Sequence, residues 1–451
     1  MFTNDCLTIY LLDLHMFSAL KLLRVAVLLT VLAIVNHATV VAAAITLRVT
    51  PDQENALYQA GETASLIVSV TEGDKQVTTG VIDFRADNFL ETVSAETGIK
   101  LTANPVTITL ASDKPQFIRC HVTYTPATGK PIMITVAVGF SVTKIKPGLS
   151  PPDDFDAFWD KQRAELAQVK MASTLTRVEY SDSQLECFDV QVTCVSPRPV
   201  AGYYVKQKTA AAKSAPAILW VHGAGVRSSS LAAAVTGARA GMLSMDINAH
   251  GIANGKPADF YKTQSSGPLK NYRIAGREDR DTIYFRHMYL RIVRAIDFLT
   301  SQPEWDGKNV IVIGHSQGGG QALVAGGIDA RVTVIASGVP AICDHGGREI
   351  GQINGWPKIV PYDASGVADA KALEASRYID AVNFASRFQG KAIMSVGFVD
   401  SVCPPSSCYA AFNVLDVKPG DKTMLNEPLM GHAAPAHIKD AFFEFIKRSL
   451  K

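Results

Sequence analysis

Between residues 309 and 327 the chain reads NVIVIGHSQGGGQALVAGG. Val310, Ile311, Val312 and Ile313 form a β-branched apolar run that suits a strand buried on both faces. Gly-His-Ser-Gln-Gly-Gly-Gly interrupts it, and a small-residue helical pattern follows. A strand that turns directly into a helix constrains the fold strongly. It calls for a parallel sheet with helices on its faces, and it sets Ser316 at the apex of a sharp turn between glycines.

The rest of the second half fits that frame. AILWVHG (217–223) and GMLSMDIN (241–248) read as buried strands, as do 309–313, 331–337 and 392–398. CFDVQVTCV and VAGYYVKQK read as an antiparallel pair. DTIYFRHMYLRIVRAIDFLTS is a long helix with Tyr289, Ile292, Val293, Ile296 and Leu299 along one stripe. AHIKDAFFEFIKRSL closes the chain as another helix. DDFDAFWDKQRAELAQV opens the region as a helix with an Asp N-cap. Alternating strands and helices predict an α/β fold with a mostly parallel sheet covered on both faces.

Residues 45–146 differ. Short alternating runs such as TASLIVSVTEG, PVTITLA, QFIRCHVTYTP and IMITVAVGFSV are separated by Gly, Pro, Asp and Asn. They predict an all-β, immunoglobulin-like sandwich, read as a spacer or docking module. KIKPGLSPPDD (144–154) is a Pro-rich joint, and 147–451 is the α/β domain. Residues 1–44 carry Lys21 and Arg24, then VAVLLTVLAIV (25–35), then Ala42 to Ala44. That is the order of a secretory signal peptide, with Met16 as a candidate true start. It implies a secreted or periplasmic protein, the cell surface included, with no stable membrane insertion after cleavage.

The net charge of +2 in 451 residues, with no long Lys/Arg run, points away from nucleic acid. Six cysteines beyond the leader make no disulfide scaffold. Cys187 and Cys194 are too far apart along one strand to pair. Cys403 and Cys408 could meet across a turn. No spacing suggests zinc, and neither metal nor organic cofactor is expected.

Gly314-His315-Ser316-Gln317-Gly318 matches G-x-S-x-G, the nucleophile elbow of α/β-hydrolases. A serine hydroxyl needs a base, and the base needs an orienting carboxylate. In this fold the chain order is Ser, then Asp or Glu, then His. Asp400 stands just past the strand in KAIMSVGFVDSVCPP, and His432 just past the one in TMLNEPLMGHAAPAH. His437, His345, Asp344 and Asp363 are the competitors, the last within a lid-like segment at 345–380. WVHGAG (220–225) offers the second oxyanion donor, Ala224 N–H, beside Gln317 N–H.

From about 151 to 447 the chain resembles the acetyl xylan esterases and cephalosporin C deacetylases, carbohydrate esterase family seven. The resemblance rests on PPDDFDAFWDKQ, on YLRIVRAIDFLTSQPEWDGKNVIVIGHSQGGGQAL, on YIDAVNFASRF and on SVGFVDSVCPPSSCYAAFN. It implies Ser316 as nucleophile, Asp400 as acid, His432 as base and Gln317 as oxyanion donor. It also implies an acetylated carbohydrate as substrate, and it suggests a homo-oligomer, the family's hexamer. The chain departs from the family pattern at Ala224, where a tyrosine is usual. NAHGIANG (248–255) replaces an Arg-Gly-Gln stretch, and Ala433 stands where glutamate is common. The expectation is a serine esterase deacetylating acetylated xylan or xylo-oligosaccharides. The alternatives are a peptidase or a carboxylesterase of broader specificity on the same scaffold, or a disabled hydrolase that only binds glycans.

Overall fold

The computed structural model describes residues 44–195 and 198–450. The expected leader therefore lies outside the described residues. No helix among them is long and apolar enough to cross a membrane.

The first half is β-rich: β1 (Ile45–Pro51), β2 (Leu57–Tyr58), β3 (Thr63–Glu72), β4 (Lys75–Gln76), β5 (Val81–Asp87), β6 (Thr92–Lys100), β7 (Val106–Ala111), β8 (Gln116–Thr125) and β9 (Ile132–Phe140). Of the described residues, 44–46 and Val70–Gln76 form a small unit of their own. Within it Thr71 pairs with Gln76 and Glu72 with Lys75 in a hairpin. Everything else belongs to one large unit. There Thr63–Val68 of β3 pair antiparallel with Val106–Ala111 of β7. A second sheet runs β2-β9-β8-β5-β6. Leu66, Val68, Ile82, Ile108, Val122, Val136 and Val138 are buried on the inward faces, the alternation a half-covered sheet requires.

The second half begins with α1 (Phe155–Gln168) and continues through β10 (Ser173–Val178), β11 (Leu185–Val192), β12 (Val200–Gln207) and β13 (Ala215–Val221). Next come α2 (Leu231–Arg239), β14 (Leu243–Ile247), α3 (Ala258–Ser266), α4 (Tyr284–Thr300), β15 (Trp305–His315) and α5 (Gln317–Ile328). Then β16 (Val334–Gly338), α6 (Ala370–Arg377), α7 (Ala381–Ala385), β17 (Lys391–Gly397), α8 (Pro405–Asn413), β18 (Lys422–Glu427) and α9 (Ala436–Ser449) complete the chain. Nine strands form one sheet in the order β10-β11-β12-β14-β13-β15-β16-β17-β18. The pairs from β10 to β14 by way of β11 and β12 are antiparallel, and all later pairs are parallel. Ile438, Phe442, Phe445 and Ile446 of α9 pack on Ile218, Ile311, Ile313, Val334 and Ile393.

Two local expectations change. Asp154 sits at the N-cap of α1, but its side chain caps nothing. Its carboxylate accepts from Tyr378 Oη at 2.5 Å and from Arg280 at 2.6 Å instead. Two partners from distant segments, one of them a guanidinium, hold the carboxylate in place of a helix N–H. In α4 the predicted stripe is buried, but so are Phe285, Met288, Leu290, Arg291, Arg294 and Phe298. Arg291 donates to the Ala249 carbonyl, and Arg294 Nη2 to the carbonyls of Leu166 and Val169, which gives partners to cations a periodicity reading places in water.

The β-rich region packs against the α/β part of the chain. The ring of Phe117 lies 4.9 Å from that of Phe398 and 5.5 Å from that of Tyr409. Ala137 N–H donates to the Pro428 carbonyl, and Asn413 Nδ2 donates to the carbonyls of Val142 and Ile145.

Candidate active site

Ser316 occupies the junction of β15 and α5 with φ 59° and ψ −125°, a conformation that strains any L-residue. The turn holds because its neighbours are fixed. Ser316 N–H donates to the Gly338 carbonyl, and the Ser316 carbonyl accepts from Gly320 and Ala341. Gly318 is required by crowding: a Cβ there would lie 2.1 Å from the Val221 carbonyl oxygen.

Asp400 follows β17, and His432 follows β18, both at the C-terminal edge of the parallel strands, where open α/β sheets place their ligand sites. His432 Nδ1 donates to Asp400 Oδ2 at 2.7 Å. His432 Nε2 accepts from the Ser316 hydroxyl at 2.9 Å. Asp400 is buried, and its Oδ1 accepts from the N–H groups of Val402 and Cys403 at 2.8 and 3.0 Å. Three residues separated by up to 116 positions thus form one hydrogen-bonded line. The carboxylate fixes the imidazole tautomer, leaving Nε2 free to take a proton.

The turn after β13 comes up beside the serine. A Cβ on Gly223 would lie 3.5 Å from Ser316 Cβ, so Ala224 follows directly at this wall. Its N–H meets no acceptor among the described residues. Gln317 begins α5, where the first N–H groups have no partner within the helix. Gln317 follows Ser316 and Ala224 follows Gly223, so these two residues remain the candidate oxyanion donors. His222 orients the turn: Nδ1 donates to the Gly223 carbonyl at 2.6 Å, and Nε2 accepts from Ala249 N–H at 3.1 Å. Burial pushes its pKa down to about 4, which keeps it neutral.

The competitors lie elsewhere. His437 pairs with Glu427 at the exposed surface. Asp363 closes an exposed turn on the N–H groups of Ser365 and Val367. The N–H groups of Asp344 and His345 both donate to Asp380, while Asp344 Oδ1 accepts from Gly148 N–H. Neither residue is on the line from Asp400 to Ser316. Cys403 and Cys408 are both buried free thiols.

Sequence reasoning missed three groups. Cys403 offers its sulfur with Asp400 and His432 ligand atoms, all within 4.8 Å of one another. This is the one such cluster among the described residues. Tyr272 and His250 both hydrogen-bond to Gly225 in the turn after β13. His250 lies within the NAHGIANG departure, a usable signal; Tyr272 stands in no motif. A cavity of about 490 Å³ backs the elbow, lined among others by Trp220, His222, Asp246, His315, Lys439 and Phe443.

Residues 141–449 match the acetyl xylan esterase family, AXE1. The chain belongs to that family. It is 31% identical over 320 residues to acetyl esterase Axe7A of Xylanibacter ruminicola, an overlap of 70% of this chain and 71% of that protein. Among solved structures, the acetyl xylan esterase from Paenibacillus sp. R4 superposes with a TM-score of 0.60 at 27% identity, covering 68% of this chain and 98% of its own. Acetyl xylan esterase 1 from Thermoanaerobacterium sp. JW/SL YS485 shares the fold, with a TM-score of 0.57 at 23% identity over 69% and 98%. This esterase is thus a carboxylic-ester hydrolase with an α/β-hydrolase fold behind a β-rich region.

Proposed function

We propose that this esterase deacetylates acetylated xylan or xylo-oligosaccharides outside the cytoplasm, by way of an acetyl-serine intermediate. The observation that carries the chemistry is the continuous line Asp400–His432–Ser316, at 2.7 and 2.9 Å. Ser316 Oγ attacks the acetyl carbonyl carbon while His432 Nε2 takes its proton. The carbonyl electrons move to an oxyanion held by the N–H groups of Gln317 and Ala224, with the N-terminal end of α5 adding favourable field. Collapse breaks the bond to the sugar oxygen, which leaves with the proton from His432. Water then attacks the acetyl group, again through His432, and acetate departs as Ser316 regains its proton. Asp400 holds the imidazole and remains ionised.

Membership of the acetyl xylan esterase family supports the acetylated carbohydrate. The leader-like residues before 45 support export. Ala224, where the family usually has tyrosine, leaves longer acyl groups as the second reading. Acetate release from acetylated xylan decides: Ser316→Ala should lose activity by about 10⁴-fold or more, as removal of a triad member does. Equal turnover of butyryl and acetyl esters favours the broader esterase, and unchanged activity in Ser316→Ala ends the serine mechanism.

A further inference from the structure

The turn Gly223-Ala224-Gly225 has glycine on both sides of the donor, and Gly225 adopts φ 122°. Such a turn has many conformations to lose, so something outside it must hold Ala224 N–H on target. Three successive peptide groups are held. His222 Nδ1 grips the Gly223 carbonyl, which belongs to the same peptide plane as Ala224 N–H. Tyr272 Oη accepts from Gly225 N–H at 3.3 Å. His250 Nε2 donates to the Gly225 carbonyl at 3.2 Å, and its Nδ1 faces Tyr284 Oη at 2.7 Å.

Tyr272 reaches further than the turn. Its hydroxyl has one proton, and this goes to Gln317 Oε1 at 2.8 Å. One phenol therefore joins the residue after one oxyanion donor to the side chain of the other. The ring is buried and immobilised, edge-on to His250 at 4.5 Å and against Tyr284 at 5.3 Å. The bond directions run one way, from Gly225 N–H to Tyr272 Oη and from Tyr272 O–H to Gln317 Oε1.

We propose that Tyr272 is a positioning residue for the esterase reaction: its hydroxyl ties the Gly225 peptide to the Gln317 side chain and so holds the two oxyanion donors in register. Tyr272 touches no reacting atom and acts through Ala224 and Gln317. The proposal rests on the serine mechanism above. It predicts an effect on the tetrahedral species and little on ground-state binding.

The test compares wild type, Ser316→Ala, Tyr272→Phe, Gln317→Met and the double variant Tyr272→Phe/Gln317→Met. Readouts are kcat and KM for acetate release, and inhibition by methylboronic acid, a tetrahedral mimic on the serine. Tyr272→Phe should lower kcat by about 10- to 100-fold, part of what loss of a whole donor costs, with KM within twofold. It should weaken methylboronic acid by the same factor. Gln317→Met should do likewise, and the double variant should be no worse than the worse single, because both cut one bridge. Wild-type kcat in Tyr272→Phe, a loss confined to KM, unchanged boronate affinity, or additive losses would each overturn the proposal. If Tyr272→Phe does not fold, Gln317→Met decides on the same kcat and boronate criteria. If Ser316→Ala retains activity, the serine mechanism itself falls, a result separate from normal turnover in Tyr272→Phe.

Discussion

Asp246 lies on β14 with one oxygen on Ser230 N–H at 2.8 Å and the cavity behind the elbow beside it. Burial raises its pKa to about 7, well above the ordinary carboxylate value. The folded state therefore favours the protonated acid, while the unfolded chain ionises near pH 4. As pH rises from 4 towards 7 the unfolded state releases its proton first, so this group removes stability across that window. Asp246→Asn keeps an oxygen for Ser230 N–H and cannot ionise. Relative to wild type it should be about equal in stability at pH 4 and more stable by a few kcal/mol at pH 8. Urea denaturation at a series of pH values checks this; a constant difference would refute it. Buried His222, held neutral with a pKa near 4, acts in the opposite sense. It contributes stability above about pH 6.5 that is lost as pH falls towards 4.

At the scale of elements, the elbow depends on α5 lying directly against β13. Gly318→Ala would set a Cβ 2.1 Å from the Val221 carbonyl oxygen, a backbone group with no room to yield. The expected outcome is a loss of about 1–3 kcal/mol or more in stability, and acetate release lowered far beyond any unfolded fraction, because Ser316 shifts with the helix. Melting temperature and kcat on one sample measure both effects. The elements carrying chemistry were legible because they are local. The run Val310–Ile313 before Ser316, the strand before Asp400 and the turn at His432 all declare themselves in consecutive residues. What was not legible is what tertiary contact decides. β6 and β10 are almost wholly exposed, so no apolar period marks them. Asp154 is claimed by Tyr378, 224 positions away. Tyr272 matters through Gly225 and Gln317, contacts that no spacing along the chain encodes.

For the whole molecule, the junction of the β-rich region with the α/β sheet lies close to the chemistry. Phe117 is buried against Phe398, two residues before Asp400, and the Pro428 carbonyl bonded to Ala137 stands four before His432. Phe117→Ala should cost about 3–5 kcal/mol, the range for truncating a buried aromatic, whereas exposed Met133→Ala should stay within about 0.5 kcal/mol. Urea midpoints of the two variants test the contrast, and a mild effect at Phe117 would mean the two regions are only loosely joined. A shared core of this kind also limits recombination. A hybrid carrying the front region of a distant relative would inherit a foreign surface opposite Phe398, Tyr409, Asn413 and Pro428. Those four positions would have to travel with the graft, so this seam binds the two halves into a single heritable piece.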